Sequence, residues 1–179
     1  MLKISDSCLV IVDVQTKLLE KIYQNDIIIE NILILIKSAN LLGIPILWCQ
    51  QYPKGLGQTD PQIAELLTGK KPIDKLCFSC YGHSDFTAQL EFLKRKQVIL
   101  CGIETHVCVY QTAESLLDNG YGVTVVADAV SSRTEQNKKI ALKKMRSRGV
   151  DISGTEMLLF ELLATAEHPQ FKAIAKLIQ

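Results

Sequence analysis

Four short apolar runs recur along this chain of 179 residues: CLVIVDV (8–14), IPILWCQ (44–50), QVILCGI (97–103) and the strand within YGVTVVADAV (121–130). The runs are almost continuously apolar rather than alternating, which is the pattern of strands buried on both faces. Helix-like segments separate them from end to end. Strands of that kind, alternating with helices, predict a parallel sheet with a helical layer on each side, a three-layer α/β/α sandwich in one domain over 1–179. In such a sheet ligands sit beyond the carboxyl ends of the strands.

The intervening segments carry start and stop signals. NDIIIENILILIKSANLLG (25–43) is rich in β-branched residues, yet its length, with Asn25 as a cap and Gly43 as a stop, predicts a helix. Asp60-Pro61 opens a short helix ending near Gly69. Residues 70–83 are irregular or hold a brief strand, and Ser84 caps a helix to about Lys94. THVCVYQTAESLLDNG (105–120) reads as a helix closed by Gly120. Ser132-Arg133-Thr134-Glu135 has the form of a capping box opening a helix to Arg148. DISG (151–154) is a last short strand, followed by terminal helices, the second primed by Pro169.

Composition excludes several classes. Hydrophobic residues make up 47% and charged residues 22%, so the chain is a folding globular sequence. Net charge is +1, and the densest basic stretch, KKMRSR (143–148), fits a solvated helix face better than a nucleic-acid site. Asp13 interrupts the first apolar run, and Glu30 and Asn31 break the run at 27–36, so neither is a signal core or a membrane span. A cytoplasmic protein without nucleic-acid or membrane partners is expected. Of the six cysteines, Cys8, Cys49 and Cys101 lie in strand-like runs, where a thiol acts as a small hydrophobe. Cys77 and Cys80 have the spacing of a zinc or redox pair. No second such pair accompanies them and only His83 is close, so no metal is expected.

Three reactive side chains map to the carboxyl edge of the predicted sheet. Asp13 ends the first strand, where burying a carboxylate is costly without a partner; a lone Asp there is more often a turn residue. Lys75, in PIDKLCFSCYG, alone reads as a solvated lysine. Cys108 stands about one turn into the helix after strand 97–103, where free N–H groups and the helix dipole favour a thiolate; flanked by Val107 and Val109, it could equally be a core thiol. Together they form a chemically coherent set of nucleophile, proton acceptor and cation, with N–H groups at the same turn able to hold an oxyanion.

Three blocks, LVIVDVQ (9–15), KLCFSCYGHSDF (75–86) and VILCGIETHVCV (98–109), resemble the isochorismatase-like cysteine hydrolases, a group that includes nicotinamidases and carbamoylsarcosine amidohydrolase. Their order and spacing hold from about residue 8 to 160. The resemblance implies a six-stranded, mostly parallel sheet and a triad of Asp13 as general base, Lys75 as electrostatic partner and Cys108 as nucleophile. It also implies backbone oxyanion donors at Glu104 and Cys108, and a cis peptide between Ile103 and Glu104. Lys75 is expected to favour the thiolate and to keep Asp13 ionised. Gln50, Phe78 and Thr105 are candidate contacts in a substrate pocket. The compact branch that this chain resembles most is often oligomeric, so a homo-oligomer is expected.

The chain departs from that group in two ways. Metal-binding nicotinamidases carry an Asp-x-His motif after the second strand; here the place reads CQQYPKGLG, with neither residue, so no metal or cofactor is expected. Members that cleave the vinyl ether of isochorismate lack the nucleophilic cysteine, which is present here. The reading is therefore a hydrolase of a small amide or related acyl compound, acting through a Cys108 thioester. The alternative is a non-enzymatic redox-responsive or assembly protein keeping an activated thiol, with Cys80 or Cys101 as resolving partner. A receiver-type phospho-acceptor lacks the acidic pair it needs, only Asp6 standing near.

Overall fold

A computed structural model of the protein describes residues 1–178. Six parallel strands, β1 (Ser7–Val12), β2 (Ile46–Gln51), β3 (Ile73–Lys75), β4 (Gln97–Ile103), β5 (Gly122–Ser131) and β6 (Asp151–Ser153), form one sheet in the order β3-β2-β1-β4-β5-β6. Among the described residues the helices are α1 (Thr16–Leu19), α2 (Asn25–Leu42), α3 (Pro53–Leu56), α4 (Pro61–Leu66), α5 (Ser84–Leu93), α6 (Tyr110–Asp118), α7 (Glu135–Ser147), α8 (Thr155–Leu163) and α9 (Phe171–Leu177).

The apolar runs split by parity, because successive side chains of a strand leave opposite faces of the sheet. Leu9 and Ile11 of β1, with Ile99, Cys101 and Ile103 of β4, pack with Ile32 and Ile36 of α2 and with Leu158, Leu159 and Leu162 of α8. Cys8, Val10 and Val12, with Val98 and Leu100, pack on the other face with Phe86 and Leu90 of α5, Ala113 and Leu116 of α6, and Met145 of α7. Two cores thus flank one sheet, as the sequence predicts.

Order reverses at β1, which lies between β2 and β4. Chains leaving the carboxyl ends of β1 and β4 part to opposite sides there, the place where sheets of this kind hold their ligands. β4 needs Gly102 to approach β1 so closely: at φ +117, a Cβ on this residue would lie 2.1 Å from the Val12 carbonyl oxygen.

Three caps differ from the sequence reading. Thr134, not Ser132, caps α7, its Oγ1 accepting from the Asn137 N–H at 3.2 Å, while Ser132 is buried and committed elsewhere. His83 precedes α5 and its Nδ1 accepts from Asp85 N–H at 3.3 Å, so Ser84 is already inside the helix. Asn25 is likewise the first residue of α2, and its side chain donates back to the Leu19 carbonyl at 3.0 Å. Each shift is a residue or two, since several short polar side chains compete for the same orphan N–H groups.

Candidate active site

Asp13 follows β1 with φ 52, a left-handed conformation that Asp tolerates better than bulkier residues. Its N–H donates to the Cys49 carbonyl at 3.1 Å, which fixes the turn to β2. Gln15, two residues on, ties down the neighbouring loops: its Nε2 donates to the carbonyls of Gln51 (3.0 Å) and Gly57 (2.6 Å), and its Oε1 accepts from Gln51 N–H (2.8 Å). The Asp-x-Gln pattern therefore pairs a reactive carboxylate with the clamp that shapes its surroundings.

Lys75 ends β3, and its Nζ lies 2.7 Å from Asp13 Oδ2. Both side chains are essentially inaccessible to solvent, at 1% and 0%. The ammonium has further acceptors in Gln51 Oε1 at 2.7 Å and the carbonyls of Phe78 at 3.1 Å and Cys77 at 3.4 Å. A buried charge persists when so many partners replace its water. The chain from Cys77 to Phe78 contributes two of those carbonyls because it wraps around the ammonium before α5 begins.

Cys108 comes from the turn that follows β4, next to β1 in the sheet. β4 runs into a wide, π-type turn over Thr105–Val109 that precedes α6, and Cys108 is its fourth residue. Asp13 Oδ1 accepts no well-aligned hydrogen bond. The Cys108 thiol lies near enough to this carboxylate for each to influence the other's titration. The fold thus draws together the three side chains expected from sequence, from segments 62 residues apart for Asp13 and Lys75 and from β4's following turn for Cys108.

The electrostatics differ from expectation in one respect. Burial and the neighbouring Asp13 carboxylate push the Cys108 thiol up; Lys75 pulls it down without overcoming them. Burial also lifts Asp13 above the usual carboxylate range, against the pull of Lys75 and the Cys108 thiol. For Lys75, burial is the largest influence and lowers the pKa, but the charge and hydrogen bond of Asp13, together with Cys80 and Cys108, jointly outweigh it and the group is pushed up to about 12. The thiol is therefore held neutral beside the Lys75–Asp13 pair, not as a standing thiolate. A raised carboxylate is a stronger base, chemically able to accept a proton from a neighbouring thiol. Comparison of ultraviolet thiolate absorbance between the native protein and Cys108→Ser is expected to show no Cys108 thiolate step at or below pH ~8.5, the ordinary cysteine range.

The Ile103–Glu104 peptide is cis, as expected. Among the described residues the Glu104 N–H donates to no acceptor, so a buried donor stands unspent at the turn that carries the thiol. Thr105 is fully buried and its Oγ1 lacks a partner. Gln50 is framework: its Nε2 donates to Asp74 at 3.0 Å and its Oε1 accepts from Thr59 N–H (2.8 Å) and Oγ1 (3.0 Å). Phe78 is half exposed, and its carbonyl rather than its ring meets Lys75. Sequence reasoning missed Gln51, whose signal was strand parity: Gln50 and Gln51 leave opposite sides of β2, and only one faces Lys75.

The other cysteines are all unpaired. Cys101 packs on the opposite sheet face from Cys108, which removes it as a resolving partner; Cys80 shares the Cys108 face. A neutral, buried thiol is also a poor target for oxidants. Among the described residues no group of His, Cys, Asp or Glu side chains is arranged to hold a metal ion, and no helix is long and apolar enough to cross a membrane.

Comparison with known proteins places these features in context. Residues 7–157 match the isochorismatase domain. Isochorismatase domain-containing protein 2 of Danio rerio is 40% identical over 172 residues, covering 96% of this chain and 86% of the relative. The secreted isochorismatase effector Isc1 of Phytophthora sojae is 39% identical over 177 residues, covering 97% and 84%. Among solved structures, the MAR1 ribonuclease of Caenorhabditis elegans superposes with a TM-score of 0.93 at 39% identity, over 99% of this chain and 91% of that one.

Proposed function

The chain belongs to the isochorismatase family, and on that premise we propose that it is a cysteine hydrolase cleaving a small amide or related acyl C–N substrate through a thioester on Cys108. One observation carries the reading: the buried Lys75–Asp13 pair, 2.7 Å between Nζ and Oδ2, set beside the Cys108 thiol. A core thiol needs no carboxylate, and an isolated ion pair is rarely sealed at 0% and 1% exposure without a task.

The steps follow from the side chains. Asp13 takes the thiol proton as the Cys108 sulfur attacks the carbonyl carbon. The carbonyl becomes an oxyanion held by the N–H groups of Glu104 and Cys108. The amine leaves with the proton carried by Asp13, and the acyl group remains on sulfur. A water, deprotonated by Asp13, attacks the thioester; the acid departs and the thiol is restored. Lys75 stays protonated throughout, holding Asp13 in place and offsetting its charge whenever it is ionised.

The substrate is a small molecule and no metal or cofactor takes part in this scheme. A homo-oligomer belongs to the same reading, which sedimentation analysis tests directly. Free cysteines throughout the core fit a reducing compartment such as the cytoplasm, although a relative at 39% identity is named as secreted; localisation of the tagged full chain decides between them.

The test is a panel of small amides and carbamoyl compounds, with intact-mass and peptide mapping of the protein during turnover. An acyl adduct on Cys108 that decays with product release is expected. Turnover that persists in Cys108→Ser, without any adduct in the native protein, would overturn the scheme. The worm neighbour's name adds RNA to the panel; RNA cleavage lost in Cys108→Ser, with no amide turned over, would replace the amide reading.

A further inference from the structure

The residue whose backbone is placed to receive an oxyanion carries a carboxylate of its own. Glu104 is largely buried, its side chain 9% exposed, and each hydrogen bond to its carboxylate comes from one residue in the turn after β5. Arg133 donates its backbone N–H and its Nε to Glu104 Oε2, both at 3.1 Å, and its Nη2 to Oε1 at 2.8 Å. The guanidinium itself is 60% exposed, so it reaches in from solvent to grip a buried acid. A second tie runs in parallel: His106 Nδ1 and Ser132 Oγ are 2.9 Å apart, and Ser131 pairs with Ile103 across the sheet. The end of β5 is thereby fastened to the turn that bears the thiol.

Ordinary surface ion pairs do little, because water already solvates both partners. This one differs, because one partner is buried a few bonds from where negative charge would develop. An oxyanion site works by presenting fixed positive potential; an unneutralised carboxylate on the donor residue would oppose it. Burial would raise the Glu104 pKa, but the hydrogen bonds and charge of Arg133, aided by His106, hold it below the usual range. The carboxylate is therefore ionised at neutral pH and needs a standing counter-charge.

We infer that Arg133 is a positioning residue for the reaction: it neutralises and immobilises the Glu104 carboxylate so that the Glu104 N–H meets the developing oxyanion unopposed. The inference rests on the cysteine-hydrolase reading above and adds the residue that makes the oxyanion site electrostatically competent. Arg133 touches no reacting atom; it acts through Glu104.

Two reactions of the same thiol separate this role from a structural one. p-Nitrophenyl acetate acylates Cys108 through a tetrahedral oxyanion: the S–C bond forms, the C–O ester bond breaks, p-nitrophenolate leaves and the thiol proton passes to Asp13. Iodoacetamide alkylates the same sulfur by displacing iodide at carbon, with no oxyanion formed. In Arg133→Met the p-nitrophenolate burst is expected to slow by about tenfold or more, while alkylation, mapped to Cys108, stays within about twofold. Arg133→Lys, which keeps the charge, should lose less than Arg133→Met. Adding Glu104→Gln to Arg133→Met removes the unopposed charge and should recover most of the burst. Equal slowing of both reactions, an unchanged burst, or a double variant no faster than Arg133→Met would each overturn the inference. A native protein that gives no burst at all overturns the covalent reading itself; a native burst indifferent to Arg133→Met overturns only the role of Arg133.

Discussion

Replacing Cys108 by serine or alanine is expected to abolish turnover, by about 10³-fold or more, on any substrate that the native protein hydrolyses. The size of the effect follows from the resting protonation state. With burial and Asp13 holding the thiol neutral, the site depends on a sulfur that gives up its proton during attack. A serine hydroxyl is far less acidic, and Asp13, though raised, is too weak a base to ionise it. Alanine has nothing to offer. Neither change should unfold the protein: although Cys108 is buried, the loss of one sulfur costs on the order of 1 kcal/mol. Steady-state rates measured beside melting curves check both halves. Loss of activity together with loss of the fold would make Cys108 a core thiol, and full activity with an intact fold would remove covalent catalysis from this site.

Much of the architecture was legible because it depends on pattern rather than on detail. Four continuous apolar runs with helical segments between them leave few arrangements other than a parallel sheet between two helical layers, and the observed strand order β3-β2-β1-β4-β5-β6 is one of them. β3 and β6 were weaker signals, because three residues each give periodicity nothing to act on. Helix caps slipped where polar side chains crowd one turn. Ser132 had the spacing of a cap but was taken by His106, a partner from another strand end that no local pattern reveals.

The site was legible in its identities and not in its supports. Asp13, Lys75 and Cys108 could be singled out because the proposed chemistry needs those residue types, and the sheet edge does bring them together. Gln51 and Arg133 were missed for different reasons. Gln51 lies one residue from Gln50, and a strand one residue out of phase exchanges pocket for framework. Arg133 looked like an exposed arginine inside a capping motif, and 60% of its side chain is indeed exposed; only its grip on Glu104 distinguishes it. The thiol's charge state also escaped sequence reasoning. A turn before a helix and a nearby lysine both favour a thiolate, and neither reveals that burial and a carboxylate will win.

Lys75→Met is expected to be the most damaging single change, because it strikes stability and activity together. Methionine fills the space of the lysine stem, so packing is largely kept, but Asp13 is left as a buried carboxylate with no counter-ion. Breaking a buried pair in this way typically costs about 3–5 kcal/mol, which for a chain of this size lowers the melting temperature by roughly 6–20 °C. The pH dependence of that penalty has a definite sign. In the native protein Lys75 is pushed up to about 12, so its stabilisation is complete below the ordinary lysine pKa and is lost as pH rises through the folded value of about 12. In the variant, Asp13 loses its cation and its folded pKa climbs further above its unfolded one. A raised pKa stabilises the fold at low pH and weakens it as pH rises, so protonating Asp13 relieves the buried charge. The stability gap between native protein and variant should therefore narrow from pH 8 to pH 5, while activity stays absent at both, since a protonated Asp13 cannot take the thiol proton. Combining Lys75→Met with Asp13→Asn removes both charges and should recover part of the lost stability without any activity. A gap that widens on acidification, or a double variant less stable than Lys75→Met, would mean that the two side chains do not hold one another as an ion pair.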